Sequence, residues 1–220
     1  MEIIMDFKTP LLTTLISLLF FSCASAPMEG RAVKSPEERP AAEISKIQQE
    51  LVKSAEWALG RKRLEVKGRK FNMDCSGVVL AVYYKSGVDL QSYISRYSGG
   101  GVQRLYAFMN DQQLLYKQPH LAPGDMLFWD NSYDRNKDGE INDTLTHVGM
   151  VVHADEDGNI MYIHHNYRLG IVLAKMNLLD PDNLEVNSPM RAKGSETGHV
   201  PLWLSSHLLK KAARAYEIAE

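Results

Sequence analysis

Residues 74–84 read Asp74-Cys75-Ser76-Gly77-Val78-Val79-Leu80-Ala81-Val82-Tyr83-Tyr84, and the fold turns on whether this run is strand or helix. Its β-branched and aromatic residues have the composition of a strand. An apolar run on all sides equally suits a buried helix, and periodicity does not separate the two. The chemical consequence is large. At the N-terminus of a helix, Cys75 would meet free amide N–H groups and the positive end of the helix dipole, which favour thiolate over thiol. A cysteine nucleophile is prepared in this way, and it still requires a base.

Working outward, Ile44, Ile47, Leu51, Ala55 and Ala58 recur at three- and four-residue steps, with Gly60 as a stop, so 42–59 reads as an amphipathic helix. Val102, Leu105, Tyr106 and Met109 predict a further short helix. After Pro123-Gly124 the texture changes. Met126 to Trp129 reads as a buried strand, and Val148–Val152 with Ile160–Ile163 as a hairpin around Asp155-Glu156-Asp157-Gly158-Asn159. Gly170 to Ala174 gives another strand, and Leu202 to Ala219 returns to helical spacing. Helices followed by an antiparallel meander predict an α+β domain over 42–220, with flanking N- and C-terminal helices.

The chain of 220 residues carries 25 Lys+Arg and 27 Asp+Glu, with 45% hydrophobic residues. That balance gives no basic field for a nucleic-acid backbone, and the absence of repeats excludes a solenoid. Pro10 to Phe21 is an apolar run behind Lys8, too short to span a membrane and suited to a signal peptide over 1–22. Two cleavage readings stand side by side. Ser22-Cys23 ends the run like a bacterial lipoprotein box, which makes Cys23 a lipidation site. Ala24-Ser25-Ala26 offers ordinary secretion instead. Either one exports the protein, to the periplasm or to the outer membrane as a lipoprotein. Residues 23–41, charged and holding Pro27, Pro36 and Pro40, read as a tether. With Cys23 lipidated or removed, Cys75 is left without an intramolecular partner.

A base is at hand in Thr146-His147-Val148-Gly149, where His147 opens a strand. A third polar group would fix its tautomer, and the return strand offers His164, His165 and Asn166. Zinc on His147, His153 and His164 would lack both a second thiol and a compact ligand spacing.

The order DCSGVV (74–79), APGDMLFW (122–129), THVGMVV (146–152) and YIHHN (162–166) resembles the NlpC-like family of papain-like cysteine peptidases, over about residues 42–174. The resemblance implies a helix at 76–86 packed on an antiparallel sheet, against raw propensity. It also implies hydrolysis of peptidoglycan stem peptides, typically beside D-glutamyl, by a monomer that needs no cofactor for catalysis. Carried over by residue, Cys75 is the nucleophile, His147 the base and then acid, and His164 the orienting third member. Asp74 and Ser76 resemble residues that bind the free amino end of the stem. The related CHAP amidases keep Asn166 in view and give a rival activity, amidase cleavage between glycan and peptide. A non-catalytic, calcium-dependent wall-binding module is a further rival.

One segment departs from the family pattern. Asp134, Asn136, Asp138, Gly139 and Glu140 follow the spacing of a calcium loop, an insertion within 130–145. The twelfth position, normally a bidentate acid, is Leu145. A structural calcium and a self-bonded Asx-rich loop are both expectations of this spacing.

Overall fold

The computed structural model describes residues 45–191 and 203–219. The segments read as a signal peptide (1–22) and a tether (23–41), with Cys23, lie outside the described residues.

Helix α1 (Lys46–Ala58) begins with a capping box. Gln48 N–H donates to Ser45 Oγ at 3.4 Å, and Ser45 N–H donates to Gln48 Oε1 at 2.9 Å. Its Leu51, Ala55 and Ala58 stripe is buried. A short hairpin follows, β1 (Leu64–Val66) and β2 (Arg69–Phe71), and leads directly into α2 (Cys75–Lys85).

The undecided run is thus helical. Asp74 caps it, accepting from Gly77 N–H at 2.7 Å, and all eight residues from Ser76 to Tyr83 are buried. Burial on every side removes the advantage that β-branched residues gain on a half-exposed sheet, so the N-cap and tertiary packing decide. Gly77 is required here: a Cβ would overlap the carbonyl oxygen of Asn72. Farther along, Tyr83 OH donates to the Gly124 carbonyl at 2.6 Å, which ties α2 to the turn before the sheet.

Two more helices, α3 (Leu90–Ile94) and α4 (Gly101–Asp111), precede the main sheet. Its strands are β3 (Leu115–Tyr116), β4 (Met126–Trp129), β5 (His147–Ala154), β6 (Asn159–Asn166), β7 (Gly170–Asn177) and β8 (Leu209–Ala213). They lie in the order β3-β8-β4-β5-β6-β7 with antiparallel pairing. Alternation divides the sheet into two faces. Met126, Phe128, Val148, Met150 and Ile163 pack with α2, whereas Leu127, Trp129, Val151 and Tyr162 fill a second cluster.

The C-terminal helix expected over 202–219 is corrected. Only Ser205–Leu208 forms an α-helix (α5), Leu209–Ala213 becomes β8, and Ala215–Ala219 is a 3₁₀ turn. β8 fills the place between β3 and β4, pairing Met126 with Ala213 and Leu127 with Ala212. Two ladders of backbone hydrogen bonds override a weak helical spacing.

Candidate active site

Cys75 is the first residue of α2. Besides capping Gly77, the Asp74 carboxylate accepts from Ser76 Oγ at 2.8 Å. The Cys75 sulfur meets the N–H groups of Val148, Ser76 and Cys75 itself, all of which favour thiolate. Burial outweighs them, the Asp74 charge adds to it, and the thiol is pushed up to about 11. The expectation that the helix terminus would hold a resting thiolate is thereby reversed.

His147 opens β5 opposite Trp129, and the two ring centroids lie 5.7 Å apart. Its Nε2 is 2.8 Å from Nδ1 of His164, and the rings meet edge to face. Burial pushes His147 down to about 3, and the neighbouring His164 and His165 push the same way. Burial, with His165 behind it, lowers His164 to about 4. At neutral pH the site therefore holds a neutral thiol and two neutral imidazoles, with one proton between the facing ring nitrogens.

Among the three candidates for the third position, His164 is the one brought to His147. His165 faces the other side of β6 by alternation. The side-chain oxygen of Asn166 accepts from Arg168 N–H at 2.9 Å and Leu169 N–H at 3.1 Å, shaping the β6–β7 turn. The thiol's contact with β5 is the Val148 amide, while the hydrogen bond of the His147 ring runs to His164. His153 stands exposed farther along β5. Ser76 is buried beneath Gly101, where a Cβ would overlap its hydroxyl, and both Ser76 Oγ and Gly77 N–H donate to the same oxygen, Oδ1, of Asp74.

The approach to His147 is fixed by contacts that the sequence reading missed. Thr146 N–H donates to the Trp129 carbonyl at 2.9 Å, and its Oγ1 accepts from Ser132 N–H at 2.8 Å. One oxygen of Asp130 accepts from Leu145 N–H at 2.7 Å, and the other pairs with Lys210 Nζ at 2.7 Å. The polar residues beside THVG were the available signal.

In the segment between, Asp134 accepts from Lys137 N–H (2.7 Å) and Gly139 N–H (2.9 Å), and Asp138 accepts from Glu140 N–H (2.8 Å). Buried Asp143 accepts from Arg135 N–H at 2.7 Å. Among the described residues, no group of three or more His, Cys, Asp or Glu side chains gathers to hold a metal. The Asp134 and Asp138 carboxylates of this loop thus accept its own backbone amides, and Asn136 Nδ2 donates to Asp138.

A cysteine opening a helix, buried against an antiparallel sheet whose histidine is held by a second histidine, is the arrangement of the papain-like α+β fold. Residues 56–179 match the model of the NlpC/P60 family, and the chain belongs to that family. It is a family of cell-wall hydrolases that act on peptidoglycan stem peptides, and its members are typically cysteine peptidases. No curated protein and no solved structure matches the chain at a significant level.

Proposed function

We propose that the protein is a peptidoglycan endopeptidase that cuts a stem-peptide amide bond, beside D-glutamyl, through Cys75, His147 and His164. The observation that carries this reading is the 2.8 Å contact between His147 Nε2 and His164 Nδ1. A proton held on Nε2 by that contact leaves Nδ1 of His147 unprotonated and able to act as a base.

In the first half-reaction the Sγ–H proton passes to His147 as sulfur attacks the amide carbonyl carbon. The oxyanion is received by the Cys75 N–H at the start of α2. When the intermediate collapses, the C–N bond breaks, His147 delivers its proton to the departing amine, and a thioester remains. Water then gives a proton to His147 and its oxygen attacks the thioester; the C–S bond breaks, the acid is released, and His147 returns that proton to the sulfur, restoring the thiol. Because thiol and imidazole rest neutral, the proton moves only as the substrate is attacked. The Asp74 carboxylate, a hydrogen-bond acceptor at the head of α2, serves the free amino end of the stem.

Cys75→Ala and His147→Ala are each expected to abolish release of stem-peptide fragments from purified sacculi while the protein stays folded. Full activity in Cys75→Ala would reject the assignment, and product masses showing peptide freed from glycan would replace it with amidase activity. The apolar run ending at Ser22-Cys23 supports export and a lipid anchor on Cys23. Membrane fractionation of the full chain against Cys23→Ala tests that part: equal release into the soluble fraction would dismiss the anchor.

A further inference from the structure

The chain enters β5 through an unusual backbone. Five non-glycine residues among those described have positive φ, namely Lys67, Gln113, Asn131, Lys137 and Leu145, and Leu145 alone carries an apolar side chain. Its φ is 53°, in the left-handed region that such a residue keeps only where its surroundings impose it. His147 stands two residues later.

The surroundings that impose it are side chains from three elements. Leu145 N–H donates to Asp130 Oδ1 at 2.7 Å, and Asp130 directly follows β4. The Leu145 carbonyl accepts from Nε2 of Gln103, on α4, at 3.3 Å. That carbonyl shares a planar peptide unit with Thr146 N–H, which donates to the Trp129 carbonyl at 2.9 Å. The peptide unit after Leu145 is therefore pinned on both edges, and the unit before it is pinned by Asp130. With both planes set, the torsions of Leu145 have no freedom left. Asp130 is itself held. Its Oδ2 pairs with Lys210 Nζ of β8 at 2.7 Å, and the same ammonium lies 6.0 Å from the ring centroid of Tyr106 on α4.

We propose that Asp130 is a positioning residue for His147, locking with Gln103 the left-handed turn at Leu145 from which the imidazole enters the cleft. This inference rests on the peptidase reading above and adds to it residues outside the Cys75, His147 and His164 set. Asp130 acts through the backbone alone. Losing it lets Leu145 relax toward negative φ, which rotates the chain just before the ring that must face His164.

The test joins kinetics to a spectrum that needs no turnover. Asp130→Ala is expected to lower kcat on a soluble stem peptide by about 10- to 100-fold with KM little changed, the scale of a misaligned catalytic group. Adding Leu145→Gly, which takes positive φ without the clamp, should recover part of that loss. The same change removes packing and frees the unfolded chain, so a role in stability alone would produce a further fall instead. Asp130→Asn keeps an oxygen for Leu145 N–H, loses the charge facing Lys210, and should lie between wild type and Asp130→Ala. Asp155→Ala removes a cap from the far end of β5 and should leave kcat unchanged.

In Cys75→Ala protein, the NMR signal of the proton between His147 and His164 should broaden when Asp130→Ala is added and sharpen again with Leu145→Gly. Unchanged kcat and an unchanged signal in folded Asp130→Ala would overturn the assignment, as would a double variant that recovers nothing. Should Asp130→Ala fail to fold, Asp130→Asn with and without Leu145→Gly carries the same comparison. A wild-type chain that cleaves nothing while the signal responds as described would sink the peptidase reading and leave the clamp standing.

Discussion

The imidazoles of His147 and His164 meet edge to face, with Nε2 of the first 2.8 Å from Nδ1 of the second. Trp129 backs the first ring and Tyr162 the second, with centroids 5.7 and 5.2 Å away. Two apolar walls and one shared proton hold the pair in a single orientation.

Replacing His164 should therefore lower turnover without emptying the site. His164→Ala is expected to reduce kcat by about 100-fold with little change in KM, the scale of losing a well-placed proton partner. His164→Gln, which can still face Nε2, should recover part of the loss. Steady-state kinetics on a soluble stem peptide decides, and unchanged kcat in His164→Ala would remove the residue from the mechanism.

Acid should destabilise the fold through the same pair. The folded values of about 3 for His147 and about 4 for His164 lie below the ordinary 6.5. As pH falls the unfolded chain takes up protons that the folded chain refuses, so stability present above pH 6.5 is lost progressively toward pH 3. Melting temperatures across that range measure it, and His147→Asn should flatten the slope. The thiol acts at the other end: raised to about 11 from 9.0, it contributes stability below pH 9 that is lost as pH climbs toward 11.

Alkylation reports the resting state of the nucleophile. A thiol held near 11 should react with iodoacetamide more slowly at pH 7.5 than cysteine in an unstructured peptide. Faster reaction than the peptide would show that the amides around the sulfur outweigh its burial.

At the start of α2, Gly77→Ala forces a methyl group into the Asn72 carbonyl. Because the obstacle is backbone, the loss of stability should reach about 3 kcal/mol. Asp74→Ala, which removes the cap, should cost about 1 kcal/mol. Denaturant titration ranks the two, and the reverse order would contradict the packing at this turn.

For the loop over 130–145, melting in calcium and in chelator should agree within error, because Asp134 and Asp138 are satisfied by Lys137, Gly139 and Glu140 amides. A calcium-dependent rise in melting temperature would show that the loop rearranges to take the ion.

Much of this was legible in the residues. The strands at 126–129, 148–152, 160–163 and 170–174 announced themselves by composition and bounding turns, because each buries a face at a fixed period. The identity of α2 did not, since an apolar run buried on all sides has no period to read. Nor did β8: Leu209 to Ala213 becomes a strand only because β3 and β4 leave a ladder open on each side. At the site, Cys75, His147 and His164 could be named as candidates from motif order and the family resemblance, which chose His164; alternation said only that His164 and His165 cannot share a face. The protonation state was out of reach, because it depends on how deeply the sulfur and rings are enclosed.

The place of β8 joins distant parts of the chain. β4, which holds β5 and thereby His147 in register, keeps its other edge for Leu209–Ala213. Detachment of β8 would leave β4 with an unpaired margin one strand away from His147, so the seating of the imidazole pair depends on a segment remote from it in sequence.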